Sequence, residues 1–222
     1  MNPIEIREIR PSEITDAASV IARAMAGNPN HVRDFGPDPG LRLRRCERFY
    51  GAVLPMIRDH GLVLGAYRDG SFLGGLGASL PGHCEVPPAV QLRLAARFLA
   101  GLGVRSTVGL VRWMKAREAY DPMEPHWHVG PVAVEPTWQG RGVGSALLSD
   151  FRDRIGVGRP AFPCFLETES ERNVRLYERF GFTTIRELDV LGVRTWAMIA
   201  DRPEGRPVES AGSSPPTIKA TP

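Results

Sequence analysis

The sequence predicts an α/β fold in which helices flank a mixed sheet of about seven strands. Short apolar runs alternate along the chain with segments of helical apolar spacing, which indicates helices packed on a sheet. The composition, 42% hydrophobic and 24% charged, is typical of a globular protein. The 222 residues suit one domain. We expect that domain to span residues 1–202, followed by a disordered Pro/Ser/Gly-rich tail at 203–222.

The first segments are predicted as a strand, a helix and a loop. Isoleucines at 4, 6 and 9 alternate with charged residues, which indicates a strand near residues 4–9. Ser12 is placed to cap a helix over residues 14–25, whose apolar side chains recur at helical spacing. Residues 27–40 are rich in Gly, Asn, Pro and Asp, so we expect a loop there.

A second helix and a hairpin follow. Residues 41–58 have helical apolar spacing, and Pro55 is expected to kink or end that helix. Two apolar runs at 62–67 and 71–80 are joined by a turn that contains Asp69-Gly70. Asp-Gly between two such runs is a strong signal for a β-hairpin.

The C-terminal half alternates between helices and strands. Pro87 and Pro88 open a long helical region, which Gly101 and Gly103 are expected to break in two. The remaining segments are predicted as a strand at 127–134, a helix at 142–155, a strand at 162–168, a helix at 171–180 and strands at 183–188 and 193–200.

Charge and cysteine content narrow the function classes. The chain has 28 basic and 25 acidic residues, a net charge of +3, which does not indicate a nucleic-acid partner. Cys46, Cys84 and Cys164 are scattered, as expected in a reducing compartment rather than a disulfide framework. We found no signal peptide and no apolar run long enough to span a membrane, so a cytoplasmic location without membrane attachment is expected.

One stretch carries most of the chemical information. An apolar strand ends before Gln139-Gly-Arg-Gly-Val-Gly144, and a helix follows directly. Alternate glycines let the backbone approach a ligand closely, and the free N–H groups at a helix start favour an anion such as pyrophosphate. The spacing differs from that of a P-loop and of a dinucleotide fold. Glycines that merely cap a helix are the alternative.

Two sequence motifs, one after the other along the chain, favour a ligand-binding turn over glycines that merely cap a helix. Gln139-x-x-Gly142-x-Gly144 resembles the acetyl-CoA signature of the GCN5-related N-acetyltransferase (GNAT) family. Downstream, Asn173 with Tyr177 and the closing Gly181-Phe182 resembles the second motif of that family. The resemblance is strong over residues 125–188 and loose elsewhere, and the C-terminal half is most similar to the puromycin N-acetyltransferase branch.

The resemblance implies a GNAT fold with a mostly antiparallel sheet and splayed fourth and fifth strands. It also implies acetyl-CoA as co-substrate and a direct attack by an amine on the thioester. Tyr177 is expected to protonate the departing thiolate, and the strand backbone is expected to pair with pantetheine. The expected cofactor-binding residues are Val132, Ala133, Val134, Gln139, Gly140, Arg141, Gly142, Val143, Gly144, Ser145 and Asn173.

Candidates for the general base come from the residues themselves. His126 and His128 are expected to share a strand face with Val132, and Glu167 with Glu169 ends the next strand. We favour His128 and Glu167, with proton removal through water as the alternative. No metal is expected, because the two histidines lack a third ligand nearby in sequence.

The expected acceptor is the primary amine of a small molecule. A protein N-terminus or lysine is the alternative acceptor, and a non-catalytic CoA-binding regulatory module is the alternative from outside the enzymes. The chain is expected to act as a monomer or homodimer.

Overall fold

A computed structural model describes residues 2–82, 88–156 and 162–201 of the chain. The predicted tail at 203–222 and Cys84 lie outside the described residues. The strands are β1 (Glu5–Glu8), β2 (Gly61–Arg68), β3 (Ser71–Ser79), β4 (Trp127–Val134), β5 (Cys164–Thr168), β6 (Phe182–Asp189) and β7 (Arg194–Ala200). The helices are α1 (Ile14–Met25), α2 (Pro29–Phe35), α3 (Pro39–Asp59), α4 (Pro88–Leu102), α5 (Val104–Arg117), α6 (Val143–Gly156) and α7 (Glu171–Glu178).

The strands form one seven-stranded sheet in the order β1-β2-β3-β4-β5-β7-β6. Every neighbouring pair is antiparallel except β4 and β5, which are parallel. The α/β class, the seven strands and the mostly antiparallel sheet are therefore confirmed. A parallel pair needs a long crossover between its strands, and α6 supplies it here.

Helices cover both faces of the sheet, and each face has its own apolar core. On one face α6 packs its buried side chains, among them Leu147 and Phe151, against β2, β3 and β4. On the other face α1 and α3 pack against the sheet through residues such as Ile21 and Leu54. The helix α5 packs against α4 and α2 at the edge of this second core. The two cores hold the strands that carry the site.

Several local predictions are confirmed. The hairpin between β2 and β3 turns at Asp69-Gly70, where both residues have positive φ, as a two-residue turn of this kind requires. Gly103, with φ of 82°, separates α4 from α5, whereas Gly101 stays inside α4. The prediction for this pair is thus right for Gly103 and wrong for Gly101.

Two predictions in the N-terminal third are wrong, and a third is wrong in part. The expected loop at 27–40 contains α2, because the Asn28 side chain accepts a hydrogen bond from the Asn30 N–H and Pro29 takes the first helical position. Ser12 does not cap α1: it lies in a short 3-10 turn, and the helix begins at Ile14. Of the two expected effects of Pro55, a kink or an end of the helix, the end is wrong, because α3 continues to Asp59.

Candidate active site

The glycine-rich turn before α6 depends on two glycines for its backbone. Gly140 and Gly142 have φ of 74° and 82°, in the region that a side chain disfavours. No other atom lies within 4 Å of where a Cβ would stand at either position, so the constraint is conformational. Gly144 lies inside α6, where a Cβ would stand 3.7 Å from Val134. The turn therefore brings a bare backbone and the start of a helix against β4.

The strands β4 and β5 separate soon after they meet. They pair only at Trp127 with Cys164 and at His128 with Phe165, so the expected splay is confirmed. The rest of β4 pairs with β3 alone, and the N–H of Glu135 donates to β3. Since backbone groups alternate sides along a strand, Val132 and Val134 direct theirs into the gap and Ala133 directs its own toward β3.

The gap opens into a groove of about 820 Å³. Every residue predicted to bind the cofactor lines this groove except Arg141. The Arg141 side chain is exposed, and its guanidinium lies 5.0 Å from the centre of the Trp138 ring. The Gln139 amide donates to the Val134 carbonyl at 3.1 Å. The turn, the splayed strand and α7 thus line one space.

Three arginines of the groove were not identified as candidates from the sequence. Arg172, Arg175 and Arg179 line the groove beside α7. Their spacing of three and four residues places them along one side of a helix, and this spacing is the signal that could have identified them. They put positive charge next to the glycine turn, whose helix start also favours an anion.

Tyr177 lines the groove. Its ring is buried and packs against Phe182, with centroids 5.8 Å apart. Burial raises the pKa of Tyr177, and the charge of Glu169 raises it further. Within the described ranges no hydrogen bond to the Tyr177 hydroxyl is found, so its proton is available to a ligand in the groove. The side chain can therefore stay protonated at neutral pH and donate that proton.

Asn173 lies one turn before Tyr177 in α7 and also lines the groove. Its side-chain amide donates to the Thr168 hydroxyl at 3.3 Å. Ser170 takes the cap position of α7, but its side chain makes no capping hydrogen bond. The two motif residues are therefore brought to one site, as the spacing i, i+4 predicts.

A second cavity of about 330 Å³ lies beyond the groove. Met25, at the end of α1, lines both spaces, so they meet there. The walls of the cavity are mainly aromatic and aliphatic side chains of α2, α3, α4 and α5. The polar residues that line it include Asp34, Arg117, His128, Glu167 and Glu169. The structure thus places a largely apolar cavity next to the groove.

The predicted base Glu167 is held in an ion pair. Its Oε1 lies 2.7 Å from Arg117 Nε, and its Oε2 lies 3.2 Å from His128 Nε2. Burial alone would raise the pKa of Glu167, but the neighbouring Arg117 and His128 outweigh it and lower that pKa to about 2. A carboxylate with so low a pKa is a weak proton acceptor. This geometry favours a structural role for Glu167 over a role as the general base.

The predicted shared face of His128 and Val132 is wrong. Val129 pairs with Ala78 and Val132 with Leu76, so three steps on β4 match two on β3. This bulge reverses the alternation of side chains between the two positions. His128 consequently faces the cavity, whereas Val132 packs against the core of the opposite face.

The two histidines have a third polar neighbour that sequence reasoning missed. Asp121 Oδ1 lies 3.6 Å from His126 Nε2 and 3.5 Å from His128 Nδ1. One atom of each of the three residues lies within 4.8 Å of the others, as in a metal site. A third candidate ligand does lie nearby in sequence, contrary to the expectation, since Asp121 precedes His126 by five residues.

Glu169 differs from the other carboxylates of the cavity. Its Oε2 accepts from Asn28 at 2.6 Å and its Oε1 from Asn30 at 2.7 Å. Burial raises the pKa of Glu169. The hydrogen bond from Asn28 lowers this pKa, but burial together with the negative charge of Glu167 outweighs that effect. From the sequence, Glu169 is noted only as a neighbour of Glu167. Its hydrogen-bond partners, Asn28 and Asn30, lie about 140 residues away in the chain, so residue spacing does not show them.

Comparison with known families agrees with the resemblance of the glycine turn and α7 to the GNAT motifs. Residues 98–184 match the family model of the acetyltransferase (GNAT) domain, and this range contains β4, the glycine turn and α7. Over this range the chain is similar to a GNAT acetyltransferase domain. The seven-stranded sheet with its splayed parallel pair is accordingly the GNAT fold.

Curated relatives of the chain are matched over different lengths. A mycothiol acetyltransferase of Propionibacterium freudenreichii subsp. shermanii is 27% identical over 210 residues, which cover 82% of this chain and 67% of the relative. A mycothiol acetyltransferase of Nocardiopsis dassonvillei is 42% identical over 60 residues, 27% of this chain. The match spans only 18% of the Nocardiopsis protein.

Solved structures agree with the GNAT fold along most of the chain. A histone acetyltransferase HPA2 and related acetyltransferase from Corynebacterium glutamicum superimposes with a TM-score of 0.67 at 21% identity, covering 92% of this chain and 98% of that one. A phosphinothricin acetyltransferase from Sinorhizobium meliloti, solved in complex with AcCoA, gives 0.57 at 16% identity, covering 93% and 94%. In the described part of the chain, no helix has the length and apolarity that a membrane crossing needs.

We expect chelators to leave the enzymatic activity of the protein unchanged. Arg117 Nη2 lies 3.0 Å from His128 Nε2, so a guanidinium already supplies positive charge beside the His126, His128 and Asp121 cluster. Initial rates would be compared before and after dialysis against EDTA, with a metal-dependent hydrolase as the positive control. A loss of activity that added Zn²⁺ restores would show that the cluster binds a required metal.

Proposed function

We propose that this domain is an acetyl-CoA-dependent N-acetyltransferase that acetylates the primary amine of a small molecule. The observation that carries the proposal is the junction of two unlike spaces at Met25: a polar groove with a glycine turn and a mainly apolar cavity. The groove suits an elongated anionic cofactor, and the cavity suits a compact acceptor. The name of the curated relatives, mycothiol acetyltransferase, is consistent with a small-molecule acceptor.

The groove residues have distinct parts in this proposal. Acetyl-CoA supplies an activated acetyl group as a thioester. The N–H groups at the turn and at the start of α6 hold the pyrophosphate, and Arg172, Arg175 and Arg179 contribute charge. Asn173 contacts the cofactor arm. The free backbone of Val132 and Val134 pairs with the pantetheine amides in the manner of an added strand.

Direct transfer fits the side chains present. A backbone N–H of the splayed part of β4 can stabilise the oxyanion of the tetrahedral intermediate. Tyr177, kept protonated by burial, donates its proton to the departing thiolate. Cys164 does not serve as a covalent carrier in this scheme, since it is fully buried and burial raises its pKa to about 12.

The class of amine that accepts the acetyl group distinguishes the possible functions. The C-terminal motifs resemble the puromycin N-acetyltransferase branch, which favours a small-molecule amine. Purified protein would be given acetyl-CoA with aminonucleosides, aminoglycosides, polyamines, arylalkylamines or basic peptides, and thiol release would be followed. Release with a small amine supports the proposal. Release only with peptides would indicate a protein acceptor, and binding without release would indicate a regulatory module.

Cofactor binding can be tested separately at the glycine turn. We expect Gly142→Val to weaken acetyl-CoA binding at least tenfold, because the side chain strains a backbone at φ of 82° and enters the groove. Gly70→Val is the matched control, since Gly70 also has positive φ and open space but lies at the remote β2–β3 turn. Isothermal titration calorimetry gives both affinities. Equal affinities in the two variants would contradict the assigned groove.

A further inference from the structure

Glu169 is the carboxylate of the cavity that has no cationic partner. Asp34 pairs with Arg33 at 2.7 Å, and Glu167 pairs with Arg117. Among the residues that the structure describes, Glu169 forms no ion pair. It accepts two hydrogen bonds from amides, which orient its oxygens without neutralising their charge. A buried carboxylate in this state has an uncompensated charge, and a cationic ligand would compensate it.

The position of Glu169 joins the two spaces. The residue lines the cavity, and Ser170, which follows it directly, lines the groove. Its charge is close enough to raise the pKa of Tyr177 in the groove. A nitrogen bound to Glu169 would therefore stand where the cavity meets the part of the groove that holds Tyr177.

The far side of the cavity offers apolar surface instead of a second site for a cation. Phe49 contacts Phe35, Tyr50 and Phe98, with ring centroids 5.8, 5.0 and 5.6 Å apart. Trp113 of α5 also lines the cavity. The remaining carboxylates, of Asp34 and Glu167, are already paired with arginines. An acceptor that fits these surroundings has one ammonium group and an apolar, preferably aromatic, body.

Resting on the function proposed above, we propose that Glu169, oriented by Asn28 and Asn30, binds the ammonium of an aromatic monoamine and accepts its proton. The neutral nitrogen then attacks the thioester carbon: the C–N bond forms, the C–S bond breaks and the electron pair goes to sulfur. Tyr177 protonates the sulfur and regains a proton from the new amide nitrogen through solvent. The proton on Glu169 leaves to solvent, so the products are the acetamide, CoA thiol and one proton.

The test compares two amines and two variants. 2-Phenylethylamine is the aromatic monoamine, and agmatine is the dication of similar reach. For the wild type we expect kcat/KM to favour 2-phenylethylamine at least tenfold. Glu169→Gln is expected to lower that kcat/KM about a hundredfold, while the acetyl-CoA affinity stays within twofold. Glu171→Gln is the matched control, because it removes the same charge from an exposed position two residues away.

The outcomes separate this inference from the proposed function. A preference for agmatine, or a Glu169→Gln variant within threefold of the wild type, would overturn the inference while amine acetylation itself stands. Failure of the wild type to acetylate any amine would overturn both. Melting temperatures of the three proteins show whether the substitution disturbs folding. If Glu169→Gln unfolds, Asn30→Ala, which leaves the carboxylate in place but removes one orienting bond, is expected to raise the KM for 2-phenylethylamine and leave the KM for acetyl-CoA unchanged.

Discussion

Replacing Tyr177 by phenylalanine is expected to lower kcat by about 10²- to 10⁴-fold, the range that loss of a general acid costs. The substitution removes only the hydroxyl, so the ring stays packed against Phe182. The departing thiolate then has to take its proton from water. Because Tyr177 donates late in the reaction, acetyl-CoA binding is expected to stay within about twofold of the wild type.

The matched control for this substitution is Tyr67→Phe. Tyr67 is also buried, and its hydroxyl donates to Glu13 at 3.1 Å on a part of β2 that lines neither space. We expect a small loss of stability, about 1 kcal/mol, and an unchanged kcat. Steady-state thiol release measures both variants. A Tyr177→Phe enzyme with wild-type kcat would remove Tyr177 from the acid role and leave solvent as the proton source.

Replacing Arg117 by alanine is expected to lower the free energy of unfolding by about 3–5 kcal/mol, the cost of leaving a buried charge without its partner. Arg117 is the cation in contact with Glu167, at 2.7 Å, and its removal leaves that buried carboxylate without a guanidinium partner. Urea denaturation at pH 7 gives the value. Arg112→Ala, at an exposed position of the same helix α5, is the control and is expected to change stability by less than about 0.5 kcal/mol.

The ion pair between Arg117 and Glu167 also predicts how the free energy of unfolding changes with pH. The pKa of Glu167 is lowered in the folded chain to about 2 from an ordinary 4.5, so its contribution to stability is present above pH 4.5 and is lost as pH falls toward 2. The difference in the free energy of unfolding between wild type and Arg117→Ala should therefore become smaller as pH falls through this window. A double variant, Arg117→Ala with Glu167→Gln, should recover much of the lost stability at pH 7. A gap that is constant with pH would show that the ion pair is not its cause.

The sequence was most informative where function depends on local backbone chemistry. The glycines at 140 and 142 predict a turn that only a side-chain-free backbone adopts readily, and the structure shows positive φ at both. The spacing of Asn173 and Tyr177 likewise predicts a common helix face, and both residues line the groove. In each case the determining contacts lie within a few residues of one another, so the order of residues carries the information.

The acceptor side of the site depends on contacts that sequence order does not show. Asn28 and Pro29 were interpreted as loop formers, although an Asn cap followed by Pro also starts a helix, as it does for α2. That helix and its cap bring two amides to Glu169 across about 140 residues. The bulge in β4 has a similar consequence, because its shift of register turned His128 toward the cavity. Neither arrangement follows from residue spacing alone.

The central claim is that an acetyl group passes directly from the groove to an amine held in the cavity. The most direct test is a single-turnover reaction of excess protein with isotopically labelled acetyl-CoA and 2-phenylethylamine, followed by mass spectrometry of the amine and of the intact protein. We predict labelled N-acetyl amine in an amount equal to the CoA thiol released, with the protein mass unchanged. Labelled acetyl retained on the protein, or thiol release without acetylated amine, would contradict the claim.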